Sequence, residues 1–403
     1  MARLERGDRV SEIYSDNMKS ELISIEKFTE GKVRNFSATG VALLCAKVLF
    51  GPFQAWIMDN RIVNGIAIGV NPYSNEWTQL YLYLRNNSDN GIFGDFSKYD
   101  KRLPAIFIYA TQTLYRLYYG DSDPVGNKMR DLLFEEYVHS FHSIVVDGET
   151  VVYEWFHGNA SGNFLTPIIN SVANICIMMY SMCDIMLEKK GGCLRGHPAD
   201  LNLDLLFKKV RYVIYGDDNA LSIADLPEIN FHSLRASIQK LGLDYTDELK
   251  GKGGVIPPYR PILDGNFIGC GFKEDSTFGT YRVLAPLRIA SVVEAPQWDK
   301  NGRMTPLDKV QVVENTNLHL AIHGEGVFSE KVPLLAKACK KAYGVWPKYT
   351  DYGLAFAHAQ RLDAAYYCPL LKEGVDFGAM LDSYRKENLE KNSCDWDNLP
   401  DCM

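Results

Sequence analysis

The stretch that most constrains this chain is Val210 to Ile223. It reads Val210-Arg-Tyr-Val-Ile214, then Tyr215-Gly-Asp-Asp-Asn219, then Ala220-Leu-Ser-Ile223. Both flanks are short, apolar and rich in β-branched residues, as strands are. The Gly-Asp-Asp-Asn cluster between them has tight-turn composition. The expectation is a β-hairpin carrying Asp217 and Asp218 side by side at its tip. Adjacent carboxylates repel, and burying them is costly unless a cation joins them. Mg²⁺ takes oxygen ligands, commonly one or two carboxylates together with substrate phosphates. Two readings therefore stand at this point: a metal-assisted phosphoryl-transfer site, or a plain solvated turn.

Bulk properties narrow the setting. At 403 residues the chain has room for two or three domains or one multi-lobed enzyme, and 46% apolar content excludes a disordered chain. Lys and Arg number 43 against 50 Asp and Glu, a net charge of -7. That lacks the basic surplus common in nucleic-acid binders. The deficit is partly local, because the tail from Glu387 onward is acidic. Nine scattered cysteines without a C-x-x-C pair imply reduced thiols, not a disulfide framework or zinc site. With so charged a start, Met1 to Asn17, no signal peptide is expected. The longest apolar run, Val172 to Cys183, is too short to cross a bilayer, so no transmembrane segment is expected. His319 and His323 share a helix face without an H-E-x-x-H pattern and read as core or surface histidines.

In chain order, residues 19–36 read as two strand-like pieces around Gly31. Lys19, Lys27, Lys32 and Arg34 alternate there with acids and apolar residues. They suit either a triphosphate grip or an ordinary charged hairpin. Val41 to Trp56 and Glu76 to Leu84 have helical rhythm. Ile92 to Phe96 reads as a strand with Asp95 near its end, and Asp100 lies near the start of an apolar helix, Leu103 to Tyr119. Asp95 suits a metal pair with a second carboxylate strand, or a loop. Asp100 suits a sugar hydroxyl, or a helix-start acid. Residues 121–157, with an Asp147-Gly148 hairpin turn, look like an insertion rather than core.

A small-residue loop holding Ser161 and Gly162 then leads into a helix, with Thr166 as expected N-cap. Thr166, Asn170 and Asn174 fall on one face of it. Polar groups on a buried face need partners, either a ligand or nearby backbone. Phe231 to Leu241 reads as an amphipathic helix. The strand from Gly242 runs into a basic loop with Lys250, a proton donor or a solvated lysine. Gly265 to Phe272 and Thr280 to Pro286 suggest a second hairpin. From Ile289 the chain turns helical (306–323, 333–343, 352–366), as a separate lobe would.

Taken together these segments resemble an RNA-dependent RNA polymerase of picornavirus-like positive-strand RNA viruses. The matching motifs fall in that family's order. They are Lys19 to Leu22 with Lys27 and Gly31 to Arg34; Asp95 with Asp100; Ser161, Gly162, Thr166 and Asn170; Gly216 to Asp218; and Gly242 to Lys250. The resemblance implies an α+β right hand of fingers, palm and thumb, with an antiparallel palm sheet backed by helices. It implies fingers at 1–90 (partial), palm at 91–122, a fingers insertion at 123–157, palm at 158–288 and a helical thumb at 289–403. The implied reaction transfers a nucleoside monophosphate from an NTP to an RNA 3′ end.

The resemblance further implies two Mg²⁺ (or Mn²⁺) ions held by Asp95 and Asp217, with Asp218 secondary. Lys19, Lys27, Lys32 and Arg34 would hold the triphosphate. Asp100, Ser161, Gly162, Thr166 and Asn170 would read the nucleotide's ribose, and Lys250 would be the general acid. Implied partners are template and nascent RNA, NTPs and other viral replication proteins, at membrane-associated replication complexes in the host cytoplasm. Three departures stand out. Only 18 residues precede Lys19, which implies an N-terminally truncated chain; Gly269-Cys270 replaces the Lys-Arg of the primer-gripping motif; Ile23 replaces an arginine. A reverse transcriptase and a non-catalytic palm-like RNA-binding protein are the rival readings.

Overall fold

The computed structural model describes residues 1–9, 12–18, 25–29, 35–38, 40–189, 203–249, 254–277, 281–299 and 302–359. Its elements run α1 (Ala2–Arg6), β1 (Ile13–Met18), α2 (Ile25–Thr29), β2 (Asn35–Ala38), α3 (Val41–Asp59), α4 (Asn75–Arg85) and β3 (Gly91–Ser97). Then come α5 (Tyr99–Arg102), α6 (Ala105–Tyr119), α7 (Pro124–Val138), β4 (Ser140–Val146), β5 (Glu149–Trp155), α8 (Thr166–Lys189) and α9 (Leu203–Lys209). β6 (Val210–Tyr215), β7 (Asp218–Ile223), α10 (Phe231–Lys240), β8 (Asp244–Asp247), β9 (Asn266–Phe267), β10 (Cys270–Gly271), β11 (Lys273–Asp275) and β12 (Arg282–Leu284) follow. The helices α11 (Ile289–Glu294), α12 (Pro306–His323), α13 (Glu325–Tyr343) and α14 (Tyr352–Ala359) close the described chain. It divides into two compact units, Met1–Gly69 with Ile92–Tyr259, and Val70–Gly91 with Arg260–Met403.

The first unit carries two four-stranded sheets. One has the order β6-β7-β3-β8, with β6–β7 and β3–β8 antiparallel. Its β6–β7 ladder pairs Tyr215 with Asp218, leaving Gly216 and Asp217 as a two-residue loop. Gly216 has φ +61°, the left-handed geometry that a tight hairpin asks of its first loop residue. Behind this sheet runs α8, apolar along most of its length and packed against α6, α10 and β6. Ile168, Ile169, Ala173, Ile177 and Met182 are all buried in one continuous core with Ile214, Leu221 and Leu234.

The second sheet has the order β2-β1-β4-β5, with β1 parallel to β4. The β4–β5 turn is Asp147 (φ +52°) and Gly148 (φ +85°), the hairpin read from the sequence. On one face of this sheet lies a buried polar chain. Ser140 Oγ is 2.9 Å from His142 Nε2, His142 Nδ1 is 3.1 Å from Asp16 Oδ1, and the Tyr153 hydroxyl donates to Asp16 Oδ2. Trp155 stacks on His142 at 4.3 Å, sealing it.

In the second unit, Trp77 of α4 stacks on Phe272 at 5.0 Å and donates its indole N–H to the Gly271 carbonyl. Leu320, Phe328, Val332 and Phe356 bury one face each of α12, α13 and α14 in a separate core. His319 packs against Tyr73, and His323 bonds the Leu287 carbonyl at 2.8 Å; both act as structural histidines.

Several sequence expectations need correcting. Ile25–Thr29 is helical, not strand. The apolar helix begins at Ala105, because Pro104 forces Leu103 into an extended conformation; Asp100 sits on the separate single turn α5. Residues 121–157 are not outside the core: α7 buries Leu133, Phe134 and Tyr137 in it. The expected second hairpin is two small ones, β9–β10 and β11–β12. Pro333 lies inside α13 rather than at its start, since buried Phe328, Val332 and Ala336 hold the helix through it.

The Val172–Cys183 run is part of a longer helix. Both α3 and α8 are long and apolar enough, by length and composition, to cross a membrane; 72% of the α8 window is buried inside the protein, as in a core helix. Among the described residues, Cys45, Cys176, Cys183, Cys270 and Cys339 are free thiols.

Candidate active site

Asp95 lies on β3, is 7% exposed, and pairs in register with Thr246 of β8. β7 is its neighbour on the other side, so the loop carrying Asp217 and the first residue of β7, Asp218, ends close by. The electrostatics record this convergence. Burial, then the charges of Asp95 and Asp218, with a smaller contribution from Asp100, raise the Asp217 carboxyl from 3.8 to about 7. Acids from two distant stretches, Asp95 and Asp100 in one and Asp217 and Asp218 in the other, thus share one field.

The hairpin tip is gripped from behind by α8. Asn174 donates its amide to the carbonyls of Gly216 (3.0 Å) and Asp217 (3.1 Å). Ser171 Oγ accepts the Gly216 N–H at 2.8 Å and donates its own proton to Pro167 O. Two neutral side chains of α8 therefore fix the main chain of the turn from behind.

A second polar chain orders Asp100. Asn170 donates to Asp100 Oδ1 at 2.7 Å and accepts from Asn159 Nδ2 at 2.9 Å, while Tyr99 donates to the Asn170 carbonyl at 3.0 Å. The Tyr99 hydroxyl is pushed well above its ordinary value by burial and by the charges of Asp217 and Asp100. Asn159 N–H bonds the Asp100 carbonyl at 2.8 Å. The preceding Gly158 has φ +85°, and a Cβ there would stand 2.6 Å from that same oxygen. Only glycine fits this crossing.

Thr166 is the first residue of α8. Its hydroxyl donates to Ala160 O at 2.7 Å instead of capping an N–H further along the helix, and acceptor lone pairs remain on it. Ser161 and Gly162 occupy the turn just before it, half-buried. Lys19, Lys32, Arg34 and Lys250 lie outside the described residues, as does the Lys27 side chain on α2. Gly269, one of the two residues that depart from the resembled motif, is the second residue of the β9–β10 turn. Cys270 beside it is buried, its thiol pushed up to about 11 by desolvation.

Asn159, Ser171 and Tyr99 carried no assignment from the sequence. Their signal was weak but present: a buried Asn or Ser in an apolar stretch requires a partner. Among the described residues, no three His, Cys, Asp or Glu side chains form a ready-made metal cage. The side chains of Asp95, Asp217 and Asp218 offer only carboxylate oxygen, and burial with the neighbouring charges raises the Asp217 carboxyl. That suits a hard dication completed by phosphate and water, and it suits a zinc-type site poorly.

Comparison with known proteins finds a family, relatives and a fold for this chain. The family described as viral RNA-dependent RNA polymerase matches residues 1–340. The replicase polyprotein of acute bee paralysis virus is 31% identical over 346 residues, covering 84% of this chain and 18% of the polyprotein. That of cricket paralysis virus is 30% identical over 330 residues, covering 79% and 18%. The chain thus spans under a fifth of these relatives' length. A Sicinivirus 3Dpol RNA dependent RNA polymerase structure superposes with TM-score 0.71 at 19% identity, covering 90% of this chain and 70% of that one. The right-hand α+β fold implied by the motifs is the fold found.

Proposed function

We propose that this chain, which belongs to the viral RNA-dependent RNA polymerase family, copies an RNA template by adding nucleoside monophosphates from NTPs to an RNA 3′ end. The observation carrying this reading is that burial, together with the neighbouring charges of Asp95 and Asp218, lifts the Asp217 carboxyl toward neutrality. Such a cluster is relieved by divalent cations, the metals this family generally uses. Asp95 and Asp217 would hold two Mg²⁺ (or Mn²⁺) ions, with Asp218 secondary. Bound there, the pair would lower the pKa of the 3′ hydroxyl and offset charge on the leaving pyrophosphate.

The chain's own groups supply the rest. Asp100 and Asn170, already hydrogen-bonded to each other, would face the ribose hydroxyls. Ser161, Gly162 and Thr166 would shape the floor beside them. Lys19, Lys27, Lys32 and Arg34 would neutralise the triphosphate, and Lys250 would deliver a proton to pyrophosphate. Because base pairing reads the template, the protein should contact phosphate and sugar rather than base edges. Fingers at 1–90 and 123–157, palm at 91–122 and 158–288, and thumb from 289 are the matching functional divisions. As in a replicase, other viral replication proteins would be partners, on membrane-associated complexes in the host cytoplasm.

The test is incorporation of labelled NTP on a primed RNA template with Mg²⁺. Template-dependent extension that Asp217→Ala abolishes supports the reading. RNA binding without synthesis, indifferent to Mg²⁺, overturns it. Preference for dNTP over NTP would instead mark a reverse transcriptase.

A further inference from the structure

Tyr245 on β8 lies directly opposite Phe96 of β3 in the ladder. Its ring does not stay there. It leans across β3, and its hydroxyl donates to Asn219 Oδ1 of β7 at 2.7 Å. The path crosses Gly94, where an added Cβ would stand 2.0 Å from the Tyr245 oxygen. One side chain therefore spans three strands, passing through a gap that exists because residue 94 has no side chain. Both partners are buried, Tyr245 and Asn219 each to 1% exposure, and the rings of Phe96 and Phe231 both pack on that of Tyr245.

The strut ends at the site. Asn219 follows Asp218 directly, and its amide N–H makes a long bond, 3.5 Å, to the Asp217 carbonyl that Asn174 also holds. Gly94 precedes Asp95. By strand alternation Asp95 points to the opposite face, so the strut braces its strand from below.

We propose that Tyr245 is a positioning residue for the metal ligands, fixing the Asp95 strand and the Asp217–Asp218 turn at one separation through Asn219. This rests on the polymerase reading of the carboxylates. Outer partners that orient metal ligands typically govern affinity by about 10–100-fold. Tyr245→Phe leaves the ring packing intact and removes only the hydroxyl. Tyr245→Phe with Asn219→Leu removes both polar ends, so no buried amide is left unpaired.

The experiment measures Mn²⁺ binding to the purified full chain by electron paramagnetic resonance, without RNA or NTP, alongside melting temperature and incorporation. Wild type is expected to bind Mn²⁺ and Asp217→Ala to lose it; failure of that pair sinks the polymerase reading itself. Given that pair, Tyr245→Phe and the double variant are expected to bind Mn²⁺ about ten-fold more weakly. The metal concentration for half-maximal incorporation should rise in parallel, with KM for NTP at saturating metal unchanged. The double variant should melt close to wild type. Wild-type Mn²⁺ affinity in either variant overturns the proposal. So does a weakened affinity in Tyr245→Phe that the double variant restores, since that marks a stability effect alone.

Discussion

Asn170 Nδ2 and Asp100 Oδ1 lie 2.7 Å apart, joining the turn after β3 to the first turns of α8. Asn159 holds the other end of the Asn170 amide. The amide's orientation is thus set before any nucleotide arrives, and a ribose hydroxyl would meet a preformed donor–acceptor pair.

Asn170→Ala should therefore erode sugar discrimination. The ratio of NTP to dNTP incorporation efficiency is expected to fall about ten-fold or more, as when a group built to bond a hydroxyl is lost. Competition assays with paired nucleotides on one template check this.

The carboxylates lead to a prediction about stability. Without metal, folded Asp217 keeps its proton up to about pH 7, whereas the ordinary value is 3.8. The folded state therefore binds more protons over that range. Its contribution to stability is fully present at the acid end and is lost as pH rises toward 7. Melting temperature in EDTA should fall across this window because of Asp217. Asp217→Asn should flatten the slope, and Mg²⁺ should restore stability at pH 7. Thermal scans over a pH series are the measurement.

Asp95→Ala and Asp217→Ala should each cut incorporation by at least on the order of 10²–10³-fold, the usual scale for losing one preorganised electrostatic group. Both should fold, and neither should melt below wild type in EDTA at pH 7, because each removes like-charge repulsion. Primer-extension rates and circular dichroism together test the pair.

Asn174→Ala would leave the Gly216 and Asp217 carbonyls without their α8 donor. A cost of roughly 1–3 kcal/mol in unfolding free energy is expected from such unpaired buried groups. Incorporation should drop with it while RNA affinity holds. Urea denaturation and filter binding separate the two effects.

Much of this was legible in the sequence wherever the determinant is local. The β6–β7 hairpin follows from β-branched flanks and turn letters, and the β4–β5 hairpin from Asp147-Gly148. α3, α4 and α12 were written in apolar periodicity. What escaped is non-local. Neither Tyr245 nor Asn219 signals that one reaches the other across Gly94; nor do Asp16 and His142, brought together only by parallel pairing of β1 with β4. Helix α7 does not stand out in the sequence because its charged letters mask the buried face of Leu133, Phe134 and Tyr137. The segment Ile25–Thr29 misled because alternating charge reads as strand in so short a piece.

The strand order β6-β7-β3-β8 has a consequence for how the protein is made. β3 leaves the ribosome long before either strand that will flank it. The helices α6 and α7 and the β4–β5 ribbon are built from nearby residues and are free to form in that interval. The strand bearing Asp95 has no such recourse: its two edges wait for residues 218–247, so it is synthesised early and docked late. Long-range pairing of this kind is slow and leaves open edges exposed. The centre of the sheet is then the last part to close, and truncation anywhere before β8 leaves that strand with a bare flank.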